Sequence, residues 1–266
     1  MRQMQQDPSG AWISADGQWR WNGQTWVPNS AVAQPVPGIF GFGDVISIPT
    51  RDPRWFAKCG LEGLIGLIPI YGYFEVAGWS LTYLDNLRAG HAVLPEAGFG
   101  YAQRGARLAV VSLIYGLVGA LLFYAVFFGL FFAMVGTTPP RTTGACTDCS
   151  TSSSGPFPAL FFGGFFGLQA LVFLVYAALH FVVLPIALRA ERYGIAAGLN
   201  LIAAVRMVLA DLKLAAAAAF LVFLTFFVEG LGFYACIVGI VFSYGYAAAM
   251  FGAALRWYEQ RQPEPA

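Results

Sequence analysis

The chain has 266 residues, 58% hydrophobic and only 11% charged, where a soluble domain carries about 25% charged residues. That composition argues against a water-soluble fold. A net charge of +1 gives no electrostatic footprint for nucleic acid, and with two His most hydrolytic and metal-binding constellations have little to draw on.

Residues 1–50 are polar and turn-rich, yet hold four of the seven Trp. Asp16-Gly17 and Asn22-Gly23 each suit a tight type I′ turn, because both central positions tolerate positive φ. Two such turns close a three-stranded β meander. Two-residue turns put Trp12 opposite Trp21 and Trp19 opposite Trp26, so all four Trp are expected on one face of the sheet. So small a sheet is marginal alone, and the Trp face is expected to pack on itself, on the membrane surface or on a partner. Asp16-Gly17, Trp19, Trp21, Asn22-Gly23 and Trp26-Val27-Pro28 resemble the short Trp-rich module of many actinobacterial membrane proteins (domain of unknown function 2510). Relatives usually carry Asp where Asn22 stands, a change the turn tolerates. Residues 31–50, rich in Pro and Gly, read as a flexible linker.

Asp52-Pro53-Arg54-Trp55 reads as a helix start, with Asp as cap and Pro in the first turn, and Trp55 and Lys58 suit a headgroup position. The apolar run Gly60 to Leu84 has Pro69 at its centre, Glu62 and Glu75 on either side, and helix-weakening Gly66, Gly72 and Gly78. A hairpin or re-entrant element broken at Pro69 and Gly72 is favoured over one straight span. Asp52-Pro53 with Trp55, the Gly-rich run ending Ile68-Pro69, Gly72-Tyr73, Arg88-Ala89-Gly90 and Leu94-Pro95 resemble an uncharacterised family of bacterial and archaeal multi-span membrane proteins (domain of unknown function 4013). The likeness extends less sharply to about Tyr258, and the family is more basic where this chain has Asp85 and Asn86. It implies a multi-helix membrane fold and no established activity.

Leu108 to Val135 runs 28 residues without an ionisable acid, base or His, and Ala159 to Leu188 is interrupted only by His180. Such runs are long enough to cross a hydrocarbon core of roughly 30 Å as helices. Between them, Cys146-Thr147-Asp148-Cys149 supplies only half of a structural zinc site and has no nearby His. A disulfide in an external loop is the preferred reading, with metal or redox function and free thiols as alternatives. Gly163-x-x-x-Gly167 suits a close helix approach. Leu199 to Leu212 places Leu199, Ile202, Val205, Val208, Leu209 and Leu212 on one arc, with Asn200 and Asp211 opposite, as in a helix lying on the membrane surface or packed on the bundle. Leu214 to Leu255 is 42 apolar residues, about 63 Å as one helix, so it must fold back. Glu229, beside Gly230 and Gly232, marks the turn.

Of fifteen Lys and Arg, only Arg141 lies between Gly136 and Pro158. By the positive-inside rule that loop is external, and both chain termini are cytoplasmic. No hydrophobic leader precedes the first apolar run, so the first spanning segment is expected to drive insertion.

The expected fold class is an all-α polytopic membrane protein of four spanning helices plus the Pro-broken segment, preceded by the three-stranded meander. Its parts are the Trp-rich module at 1–30, the linker at 31–50, the membrane domain at 51–258 and a tail at 259–266. Glu62, Glu75 and His180 are the candidate intramembrane polar site, since ionisable groups at membrane depth are costly and often functional. No cofactor or metal is expected. The leading expectation is a nonenzymatic scaffold or assembly module of the plasma membrane, in contact with lipids and with a protein partner or a second copy. The alternative is a small-solute transporter or channel component. A lipid-acting enzyme comes third, and would require Glu62, Glu75 and His180 to meet.

Overall fold

The computed structural model describes residues 4–6, 12–14, 19–21, 26–28, 38, 40–136 and 157–262. The three-stranded meander is overturned. The fold is helical almost throughout, and the tail holds four three-residue strands, β1 (Met4–Gln6), β2 (Trp12–Ser14), β3 (Trp19–Trp21) and β4 (Trp26–Pro28), in the order β1-β2-β3-β4. β1 pairs along β2, with Gln6 opposite Trp12. β2 and β3 place Ile13 opposite Arg20, but β3 and β4 pair Trp21 with Trp26 and Trp19 with Pro28. The expected Trp19–Trp26 pair is therefore displaced by two residues, because four residues rather than two separate the paired positions Trp21 and Trp26. A two-residue shift keeps each residue on its face of the pleat. Trp12 is exposed; the side chains of Trp19, Trp21 and Trp26 lie outside the described residues.

The linker ends earlier than expected. Phe40, Val45 and Ile48 are fully buried, carried by α1 (Asp44–Ser47) and a short 3-10 turn, Pro49–Arg51. The carboxyl end holds this segment: Gln260 Oε1 accepts from the Phe40 N–H at 2.9 Å, and Arg261 donates to the Phe40 carbonyl at 2.6 Å. Arg261 in turn stacks over Trp257, 4.4 Å from the ring centroid. The chain thus enters the helical body at the end where it leaves it.

The Pro69 region breaks into α2 (Trp55–Gly66) and α3 (Tyr71–Arg88). Pro69 cannot donate to the preceding turn, so the chain reverses over 67–70, with Ile70 at φ +63°, a region costly for a β-branched residue. Gly72 closes the reversal, since a β-carbon there would lie 2.2 Å from the Ile65 carbonyl oxygen. Both arms pack on α9 (Cys236–Glu259). Gly63 meets Val241 and Gly245 meets Cys59, so α2 runs antiparallel to α9, while Gly252 meets Ser80 and Arg88 meets Glu259, so α3 runs parallel to it. These glycines let the backbones touch: a β-carbon on Gly63 would fall 1.7 Å from the Val241 oxygen. The first arm enters and the second returns to the same end.

α3 ends in a Schellman motif. Gly90 sits at φ +83°, its N–H bonds to the Leu87 carbonyl, and the His91 N–H bonds to the Asn86 carbonyl. After α4 (Ala102–Gly136) come α5 (Phe157–Tyr193), α6 (Ile195–Gly198), α7 (Leu201–Ala210) and α8 (Leu212–Leu231). Among the described residues, four helical stretches are long and apolar enough to cross a membrane: Ala102–Gly129, Leu174–Tyr193, Leu212–Leu231 and Val238–Glu259. The fold-back of the last apolar run falls at a 3-10 turn, Gly232–Ala235. Asn200 and Asp211, expected on the polar side of an amphipathic helix, instead cap α7 and α8: they accept from the Ala203 N–H at 3.0 Å and the Leu214 N–H at 2.9 Å. α7 buries Ala204 and Val208 and exposes Leu201, Ile202, Val205 and Leu209. A β-carbon at Gly167 would meet nothing within 4 Å, so this position makes no close helix approach to the described residues.

Candidate functional site

Asp52 is not a simple helix cap, and Lys58 does not reach the headgroups. Lys58 is 4% exposed; its Nζ donates to Asp52 Oδ2 at 2.8 Å and to the Leu94 carbonyl at 2.6 Å. Asp52 also accepts from the N–H of Arg54 at 2.8 Å and of Leu94 at 3.0 Å. The Trp79 indole donates to the Pro95 carbonyl at 3.3 Å. The pair and the indole together hold the loop that follows α3 in the groove between α2 and α3.

Glu62 and Glu75 meet the same loop farther along. Both are fully buried. Glu75 accepts from the Tyr101 N–H at 2.6 Å and from the Gly100 N–H at 3.2 Å on each oxygen. It thereby satisfies free amides at the start of α4, where helix N–H groups lack intrahelical partners and a negative charge is favoured. Glu62 has one oxygen 3.4 Å from the Gly98 N–H and the other without a hydrogen-bond partner. His180, expected to complete this group, does not join it. Its Nδ1 lies 2.6 Å from the Tyr176 carbonyl one turn back, and its ring packs edge-on to Tyr176 and Phe226. No hydrogen bond or ion pair joins His180 to either glutamate, so the three-residue conjunction that an enzyme would need is not formed.

An ionic cluster closes one end of the bundle. Arg88 grips two carboxylates with paired bonds, Glu191 at 3.1 and 3.1 Å and Glu259 at 2.8 and 3.1 Å, and also reaches Asp85 at 3.0 Å. Arg104 adds bonds to Asp85 and Glu191, and Arg192 pairs with Glu259. Burial works against the charge on Arg88, but the bonds to Glu259 and Glu191 outweigh it and raise its pKa above the ordinary guanidinium value. The cluster joins α3, α4, α5 and α9.

Beyond it a cavity of about 540 Å³ opens among α3, α4, α5, α8 and α9. Its wall is mostly apolar. The polar side chains on it include Tyr73, Ser80, Ser112, Thr225, Glu229 and Tyr244. Ser80 and Thr225 bond back to carbonyls one turn earlier in their own helices, at 3.0 and 2.9 Å, so their hydroxyls are largely spoken for. Glu229 is the one carboxylate on the wall, at the end opposite the Arg88 cluster. None of Glu62, Glu75 and His180 lines it, although Pro69 precedes α3 and α3 supplies one side.

Compared with protein-family models, curated proteins and solved structures, the chain matches none. Cys146 and Cys149 lie outside the described residues, as does the loop that carries them. Cys59 is buried and free, a small packing residue. Among the described residues no group of His, Cys, Asp and Glu is arranged to hold a metal ion. Sequence reasoning missed the Lys58–Asp52 pair and the cavity role of Glu229. The signal for Glu229 was present, as the only charge in a 42-residue apolar run; its proximity to Gly230 and Gly232 pointed to a turn instead.

Proposed function

We propose that this integral membrane protein is a nonenzymatic binding component of a small-solute transport or channel system, taking a small amphipathic molecule into the cavity between α3 and α8. The observation that carries this reading is the cavity itself. At about 540 Å³ it lies within the range of small-molecule sites, roughly 300–1,000 Å³, and has their mostly apolar wall with few polar groups. The test uses Gly116→Leu with Gly119→Leu. Both positions line the cavity, and a β-carbon at either would meet nothing within 4 Å, so the pair fills space without a clash. The wild-type protein, purified in mild detergent and analysed by mass spectrometry, is expected to retain a small amphipathic molecule that the filled variant loses. Identical small-molecule contents would refute the reading.

The scaffold reading is supported by α4, in which no residue from 112 to 129 is buried within the chain, leaving an apolar face for lipid, a partner or a second copy. Recovery of the chain alone, with no partner lost on deleting residues 1–30, would end that reading. We further propose plasma-membrane residence with both termini cytoplasmic and loop 136–158 external, from the Lys and Arg distribution, and kinship with the uncharacterised families named above. Labelling of single Cys at 141 and 262 from either side of intact cells tests the orientation.

A further inference from the structure

We infer that the cavity selects an organic cation, an amine or onium group on an apolar body, with Glu229 as its counter-charge. This deepens the ligand-site reading and rests on it. Most buried acids among the described residues are satisfied within the chain; Glu62, with one oxygen unpartnered, is the exception and lies off the cavity wall. Asp52 has Lys58, Glu75 has the amides of Gly100 and Tyr101, and Glu191 and Glu259 share Arg88. Glu229, in a helix apolar enough to cross a membrane, has no side-chain hydrogen bond and no ion pair to any described residue.

Glu229 stands in the last turn of α8, partly buried beside the Gly232–Ala235 reversal, and ionisable side chains in apolar spanning helices characteristically mark ligand or ion pathways. The carboxylate lies on a cavity wall rather than on the lipid face. The Ser243 hydroxyl donates to the Glu229 backbone carbonyl at 3.1 Å, which ties α8 to α9 here and brings Tyr244 to the same end. Tyr73 and Tyr244 both line the cavity, and the faces of such rings attract cations within about 6 Å. The wall offers an anion no Lys or Arg, because the nearest such cluster, Arg88 with Arg104 and Arg192, sits at the opposite end and is committed to carboxylates. A neutral ligand would leave the Glu229 carboxylate without a counter-charge or require it to take up a proton, whereas a cation with an apolar body satisfies the ionised acid and fills the rest.

The test compares two ions of matched size and shape but opposite charge, tetraphenylphosphonium and tetraphenylborate, binding as radiolabelled probes to the full-length protein in lipid nanodiscs, with empty nanodiscs subtracted. Tetraphenylphosphonium is expected to bind saturably, and tetraphenylborate on the order of tenfold more weakly or not at all. Glu229→Gln is expected to lower phosphonium affinity on the order of tenfold with the melting temperature unchanged or raised. The comparison of the two ions on the wild-type protein stands even if that variant fails to fold. Equal affinity for the two ions, no phosphonium binding, or an unchanged affinity in a folded Glu229→Gln protein overturns the charge assignment. In those cases the ligand-site reading survives if the Gly116→Leu, Gly119→Leu variant still loses a retained molecule, and falls with it if the variant does not.

Discussion

Replacing Lys58 with Met removes a buried ammonium while keeping most of the side-chain volume. Two close bonds disappear, to Asp52 at 2.8 Å and to the Leu94 carbonyl at 2.6 Å. Asp52, 2% exposed, keeps its two backbone N–H donors from Arg54 and Leu94 but loses its counter-charge. Removing one partner of a buried pair costs about 3–5 kcal/mol, and the two surviving donors place this case at the lower end, about 3 kcal/mol. Asp52→Asn combined with Lys58→Met removes both charges, so the double variant should be more stable than Lys58→Met alone, with a coupling of about 1–3 kcal/mol. Arg54→Ala is the control: it shares Glu96 with Lys58, whose Nζ lies 3.4 Å from that carboxylate, but the Arg54 and Glu96 side chains are 56% and 65% exposed, and it should cost less than about 1 kcal/mol. The assay is unfolding in mixed micelles of rising SDS fraction, followed by Trp fluorescence, to which Trp79 of α3 contributes from its contact with the same loop. A Lys58→Met protein no less stable than Arg54→Ala would refute the assignment of this pair as the clamp on the loop.

Gly63→Ala forces a β-carbon to 1.7 Å from the Val241 oxygen and should cost about 3 kcal/mol or more in the same titration. Gly129→Ala, which meets nothing within 4 Å, should be neutral or stabilising by up to about 1 kcal/mol. Glu75→Gln trades an acceptor for an NH₂ group facing the amides of Gly100 and Tyr101, and hydrogen exchange of those amides should accelerate on the order of tenfold or more. Arg88→Lys should recover only part of the stability lost in Arg88→Ala, because an ammonium cannot hold Glu191 and Glu259 with paired bonds; equal stability of Arg88→Lys and wild type would show that the paired geometry is immaterial.

Hydropathy and helix length made the four long apolar helices legible, since a run such as Leu108 to Val135 leaves the backbone no other way to satisfy its polar groups in hydrocarbon. Pro69 and the glycines around it likewise announced a break. What composition could not show was partnership. The motifs Asp52-Pro53, Arg88-Ala89-Gly90 and Leu94-Pro95 looked like separate landmarks, yet they converge on one loop: Asp52 holds Leu94, Gly90 starts the loop, and Pro95 receives Trp79. Glu62 and Glu75 drew attention as intramembrane charges, but backbone amides from that loop satisfy Glu75 and approach Glu62, contacts too distant in sequence to read from spacing. In the tail, the register expected around Asp16-Gly17 holds, with Ile13 opposite Arg20, while that around Asn22-Gly23 gives way to a Trp21–Trp26 pair, and a strand is added ahead of the meander. Phe40 and Ile48 were hidden among Pro and Gly; their burial depends on a surface made some 200 residues later.

That last dependence has a consequence for biogenesis. The backbone of Phe40 is held by Gln260 and Arg261, and the groove that receives α2 is lined by Gly245 and Val241. An emerging polypeptide makes the guest long before the host, so α2 and the segment ahead of it must wait, unseated, until the last helix has left the ribosome and entered the bilayer. Seating of α2 is therefore expected to be a late step that follows synthesis of α9, and a chain truncated before α9 would leave α2 without the groove it packs in.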